Sequence, residues 1–136
     1  MTLNELYKKA VSIGIENDPR GKDAVLKELD ARKKDFEKLR EDEKEFFDSE
    51  TLENPYSDSR ILNGAGEEKI KSALVGIDIE VGELLLAENL KAKGKSVDLL
   101  ISHHPEGRAY ANLYSVMQMQ SDILHKFGVP INVAED

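Results

Sequence analysis

Apolar side chains fall at helical steps from the first residues onward. Leu3, Leu6, Tyr7, Ala10 and Val11 share one face behind Thr2-Leu3-Asn4-Glu5, a capping-box pattern in which hydroxyl and carboxylate satisfy orphan amides reciprocally. That predicts a first helix. Asp18-Pro19 reads as a second start, an N-cap followed by an N1 proline, and Val25, Leu29, Phe36, Leu39 and Phe46 carry the periodicity to about Phe47. The expectation is one long helix with a narrow apolar stripe, interrupted by Lys22, Arg32 and Glu43. Such a stripe packs on a partner helix, either the first helix in an intramolecular hairpin or a helix of another chain.

From Asp48 to Gly66 the periodicity lapses and turn formers gather at Asn54-Pro55, Ser57-Asp58-Ser59 and Asn63-Gly64. A loop this long is expected to lie over the body or to line a site. Beyond Lys71 the element types alternate. Ser72–Ile79 is a β-rich apolar run, and Glu80–Lys93 is helical through Val81, Leu84, Leu85, Leu86 and Leu90, with Gly94 as its stop. Val97–Ser102 is a second strand, Ala109–Phe127 a helix ended by Gly128, and Pro130–Ala134 a third strand. The fold class expected is therefore α/β, a βαβαβ parallel sheet with flanking helices, preceded by an N-terminal helical hairpin with one long charged helix. This divides the chain into a helical extension, 1–50, and an α/β lobe, 51–136.

Charge sharpens that division. Residues 1–60 hold 16 acidic and 12 basic side chains against 11 and 7 in residues 61–136, so the helical part is mostly solvated surface. All 136 residues fit one modest unit, and 19 basic against 27 acidic side chains give a net charge of -8. With a pI near 5.0, binding to nucleic acid by bulk phosphate neutralisation is not expected. The absence of cysteine excludes disulfides, thiolate zinc sites, iron–sulfur clusters and a cysteine nucleophile, which leaves His and carboxylate as metal ligands. No stretch approaches a membrane span or a signal peptide, and the expected address is the cytoplasm.

Candidate chemistry concentrates in Ser102-His103-His104-Pro105-Glu106, at the end of the second strand. Adjacent strand residues point to opposite faces, so the two imidazoles converge only if the backbone turns there, which Pro105 favours. Imidazole with carboxylate suits zinc, manganese, iron or cobalt; a loop pair held by backbone hydrogen bonds is the alternative. Asp78 closes the first strand, and ligands gather at the carboxyl ends of parallel strands. Glu80 and Glu83 fit better as N-terminal caps of the following helix, and His125 as a C-terminal cap of the last long helix. Gly64-Ala65-Gly66 precedes a strand and lacks a P-loop ending, and no Gly-x-Ser-x-Gly elbow occurs.

Leu74-Val75-Gly76-Ile77-Asp78, a helix, and then Asp98-Leu99-Leu100-Ile101-Ser102-His103-His104-Pro105 resemble the N-terminal half of the Nif-three-like proteins, also known as GTP cyclohydrolase type 2 homologues. Gly128-Val129-Pro130-Ile131-Asn132-Val133 is similar to the family's next strand, and the likeness covers about residues 60–136. The resemblance implies a homo-oligomer with a divalent metal or metal pair, His103 and His104 among the ligands, and a metal-dependent hydrolase of the cyclohydrolase kind acting on a small nucleotide-like substrate. It further implies that the chain corresponds to the family's N-terminal lobe, with the other ligands lying beyond Asp136. Asp78 and Glu106 are then candidates to orient the histidines or to move protons. The alternative is a non-catalytic interaction or oligomerisation module with an incomplete metal site.

Overall fold

The computed structural model describes residues 1–135, a mixed α/β arrangement with a small parallel sheet. Helix α1, Leu3–Asn17, opens on the expected box: the Thr2 amide donates to Glu5 Oε2 at 2.8 Å, and the Glu5 amide donates to Thr2 Oγ1 at 3.2 Å. It ends at Asp18, whose extended backbone (φ -61°, ψ 126°) is what a following proline favours.

The long second helix of the sequence reading is two shorter pieces. Pro19 does not start it. The Asp18 carboxylate is taken by Arg20, through the Arg20 amide at 2.8 Å and an ion pair at 2.9 Å, so Pro19-Arg20 forms a turn and helix α2, Lys22–Glu37, begins after Gly21. At its far end Lys38 and Leu39 donate to Asp35 and Phe36 carbonyls three residues back, and Arg40 turns extended. The acidic run Glu41-Asp42-Glu43 then acts as a helix start. Glu43 Oε2 accepts from the Arg40 amide at 2.9 Å, and its neighbours sit at the positive end of α3, Glu41–Lys44. The break lets the stripe fold back on itself, with the Phe36 and Phe47 rings 4.8 Å apart, while Phe46 stays on the surface.

Val25 and Leu29 on α2 and Leu3 on α1 are buried, and the loop lies over them, as its length predicts. A short 3-10 turn, Ser49–Leu52, leads into buried Asn54. The chain then returns past α1: the Leu3 amide donates to Glu68 O and the Asn4 amide to Gly66 O, both at 2.9 Å.

The βαβ unit follows. Strand β1, Ala73–Gly76, pairs in parallel with β2, Leu99–Ser102, in the register Ala73–Leu99 through Gly76–Ser102, with helix α4, Val81–Ala92, as the crossover. Asp98 Oδ2 pins the start of the pair by accepting from the Lys71 and Ser72 amides at 2.9 and 3.0 Å, and these bonds hold its carboxyl below the usual range. Burial alternates along β1: Leu74 and Gly76 are half-covered, while Val75 stays 66% exposed.

The C-terminal segment departs from expectation twice. The helix of Ala109–Phe127 is two helices, α5, Gly107–Ala111, and α6, Tyr114–Lys126. The third strand at Pro130–Ala134 is instead a single helical turn, α7, Ile131–Ala134. Pro130 has no amide to give a ladder, the amides of Val133 and Ala134 close back onto its carbonyl at 2.9 and 3.0 Å, and Ser121 Oγ ties Ala134 O to α6 at 2.7 Å. Among the described residues the sheet therefore has two strands, not the three of a βαβαβ unit. None of the described helices is long and apolar enough to cross a membrane.

Candidate functional site

The parallel ladder does not stop with β2. The His103 amide donates to Gly76 O at 3.0 Å and the His104 amide to Ile77 O at 2.8 Å, so both histidines are held against the end of β1. Glu106 fixes the turn beyond them, its Oε1 accepting from the Ile79 amide at 3.0 Å and from Ser102 Oγ at 3.2 Å. On a straight strand the two rings would diverge; with the chain bending at His103 and His104, their centroids are 5.4 Å apart and the planes 33° from each other.

One carboxylate joins them. Asp78, two residues beyond β1, sets Oδ1 2.9 Å from His104 Nδ1. The tautomer this assigns carries the proton on Nδ1, donates it to Asp78 and leaves the Nε2 lone pair free, which is how a carboxylate orients an imidazole for a metal or for a proton. Both side chains remain open to solvent, 58% and 57% exposed, so incoming ligands and water reach them.

The other candidates separate. Glu83 Oε2 accepts from the Glu80 amide at 2.9 Å and caps α4, as its place in the helix predicts. His125 Nδ1 lies 3.0 Å from Val129 O, beyond the end of α6, so it ties the helix to the segment that follows and does not cap a carbonyl of its last turn. Glu106 touches neither imidazole and acts as the brace of the loop. Among the described residues no group of three or more His, Cys, Asp or Glu side chains is placed to hold one ion. The donors at this edge are short of the three protein ligands usual in catalytic zinc sites.

A more elaborate polar cluster lies on the helical part. Tyr7 Oη donates to the Glu50 carboxylate and accepts from Asn54 Nδ2 at 2.7 Å, and Arg60, its side chain wholly covered, sits 3.2 Å from Asp48 and 3.5 Å from Glu50. Burial, reinforced by Glu50, pushes the Tyr7 phenol up to about 12. Tyr7, Glu50 and Asn54 of the cluster line an open cleft of about 960 Å³ together with Val11, Ile15, Leu26 and Phe36, well apart in sequence from the histidines. Tyr7, Asn54 and Glu50 spend their polar atoms on one another and on the loop backbone, which makes the cluster a clamp between α1 and the loop, while Arg60 Nε and Nη1 are buried beside it without a hydrogen-bond partner among the described residues. Sequence reading placed Tyr7 on an apolar face and Asn54 in a turn; only the tertiary fold joins them.

Comparison with protein-family models, curated proteins and solved structures gives no significant match to this chain, so the site is read from its own residues and geometry.

Proposed function

We propose that this chain binds a divalent metal ion through His103 and His104 and serves as the N-terminal-type lobe of a metal-dependent hydrolase of the Nif-three-like kind. The observation that carries the reading is the convergence of two imidazoles and the Asp78 carboxylate at the carboxyl edge of a parallel βαβ unit. Zinc, manganese or iron matches imidazole donors supported by a carboxylate.

His103 and His104 would hold the ion, which supplies a polarised water when bound. Asp78 Oδ1 accepts the hydrogen bond from His104 Nδ1–H and so keeps His104 in the tautomer with a free Nε2. Glu106 acts one step back, locking the Ser102–Glu106 turn so that the two rings stay side by side. Further ligands must come from beyond these residues, in keeping with the family resemblance, and the nucleotide-like substrate belongs to that same proposal.

Calorimetric titration of zinc or manganese chloride into the purified chain tests it. The expected result is saturable heat at about one ion per chain, lost in both His103→Ala and His104→Ala. No saturable heat from the native chain, or heat in both variants that matches the native chain's, overturns the proposal.

A further inference from the structure

We infer that Asn63 is a self-modifying site: the Gly64 amide nitrogen closes on the Asn63 carboxamide, and the aspartyl or isoaspartyl product loosens the strap that anchors the start of α1. Asn63 is the one asparagine of the chain that precedes a glycine. Both residues are exposed in an irregular stretch, and among the described residues neither the Asn63 side chain nor the Gly64 amide makes a hydrogen bond. Nucleophile and electrophile belong to adjacent residues, so a small imide ring closes without translational cost, and glycine puts no side chain in the way. The other asparagines lack one of these features. Asn54 is buried and followed by Pro55, which has no amide; Asn4 and Asn89 lie inside α1 and α4, and Asn17 gives its Nδ2 to Ile13 O at 2.8 Å. Asn112 and Asn132 precede the bulky Leu113 and Val133.

The chemistry needs only water. The Gly64 nitrogen gives its proton to hydroxide and bonds to Asn63 Cγ, the Cγ–Nδ2 bond breaks, and ammonia leaves with a proton from solvent. Water then opens the cyclic imide. Attack at Cγ gives aspartate; attack at the main-chain carbonyl gives isoaspartate, whose backbone runs through the former side chain and is one methylene longer. Either product adds one negative charge to the -8 of the chain. Position gives the change its effect. Glu68 closes this turn, its Oε1 and Oε2 accepting from the Ala65 and Gly66 amides at 2.6 and 2.7 Å. A carboxylate at position 63 competes for the amide two residues on, which is that of Ala65, and repels Glu68. The same turn carries the strap: Gly66 O and Glu68 O hold the Asn4 and Leu3 amides, and the Gly64 backbone abuts Leu3, whose Cδ2 lies 2.8 Å from where a Cβ would stand. A longer backbone at position 63 disturbs that contact. The inference stands apart from the metal proposal, since it uses neither histidine.

Ageing the full chain at mildly alkaline pH, followed by peptide mass mapping and enzymatic methylation of isoaspartate, tests the modification. Asn63 is expected to convert well before any other asparagine, with isoaspartate the larger product, and Asn63→Ser to lose the methyl acceptor. An Asn63 that stays intact, or that converts no faster than the asparagines of α1 and α4, overturns the inference. Hydrogen exchange tests the strap. In the aged native chain the Leu3 and Asn4 amides should exchange several-fold faster than in an Asn63→Ser chain aged beside it, which carries every other effect of ageing. Equal exchange at those two amides severs the link to α1 and overturns the inference as well.

Discussion

His104 Nδ1 lies 2.9 Å from Asp78 Oδ1, joining the turn after β2 to the end of β1 across the parallel pair. Because both partners are more than half exposed, the pair adds little to folding and its value lies in aiming the ring. Asp78→Ala is expected to weaken zinc binding by about 10- to 100-fold in calorimetry, as loss of a carboxylate behind a ligand histidine does. Its unfolding free energy should stay within about 0.5 kcal/mol of the native chain's.

Asn54 is the opposite case, 2% exposed and fully engaged. Its amide nitrogen donates to Tyr7 Oη, Tyr56 O and Ser59 O at 2.7, 2.9 and 2.8 Å, and its oxygen accepts from the Tyr56 amide at 2.8 Å. Asn54→Ala strands several of these groups away from water and should cost about 2–4 kcal/mol in urea unfolding. Metal binding by the residual folded chain should be unchanged, because the clamp and the histidines share no residue.

Burial alone would raise the Asp18 carboxyl, but hydrogen bonds from Arg20 and Tyr56 outweigh it and hold it below its ordinary 3.8. A carboxyl lowered on folding stabilises fully above that value, and the contribution fades as pH falls through the lower folded value. Acid unfolding followed by circular dichroism should therefore show a steep loss below the ordinary carboxylate range that Asp18→Asn flattens, at the expense of stability near neutrality. At the alkaline end the sign reverses for Tyr7: held protonated up to about 12, it adds stability below pH 10 that is lost as pH climbs between the two values, a loss that Tyr7→Phe removes.

Gly66 closes the strap against α1. Its φ is +94°, and an added Cβ would sit 2.2 Å from Asn4 Nδ2, while Asn4 donates its amide to Gly66 O. Gly128 has nearly the same φ, +95°, with open space around it. Both alanine variants bear the left-handed strain, about 1 kcal/mol; Gly66→Ala should lose a further 1 kcal/mol or so in thermal unfolding because Asn4 must also move.

Local signals were legible where one segment carries both halves of an interaction. Thr2 and Glu5 sit three residues apart, so the α1 cap could be read directly, and Val81 to Leu90 with Gly94 marked α4 equally well. The long helix misread because Asp18 serves Arg20 instead of the helix, and because Glu43 caps a new start at Arg40. Both are choices between two local partners that periodicity does not weigh. The third strand failed for a related reason: Pro130-Ile131-Asn132-Val133 has strand-like composition, but the bond from Ser121 to Ala134 that ties it down as a helical turn comes from another element. Of the site, the histidine pair and Asp78 were visible from their strand ends. The brace by Glu106, directed at Ile79 and Ser102 rather than at an imidazole, emerged only from the fold.

The most direct test of the metal-binding claim is anomalous scattering at the zinc or manganese absorption edge, from crystals of the native chain soaked in that metal. A peak at bonding distance, about 2.0–2.3 Å, from an imidazole nitrogen of His103 or His104 is the predicted result. A fully occupied ion elsewhere on the chain, with no peak at either imidazole, would contradict it.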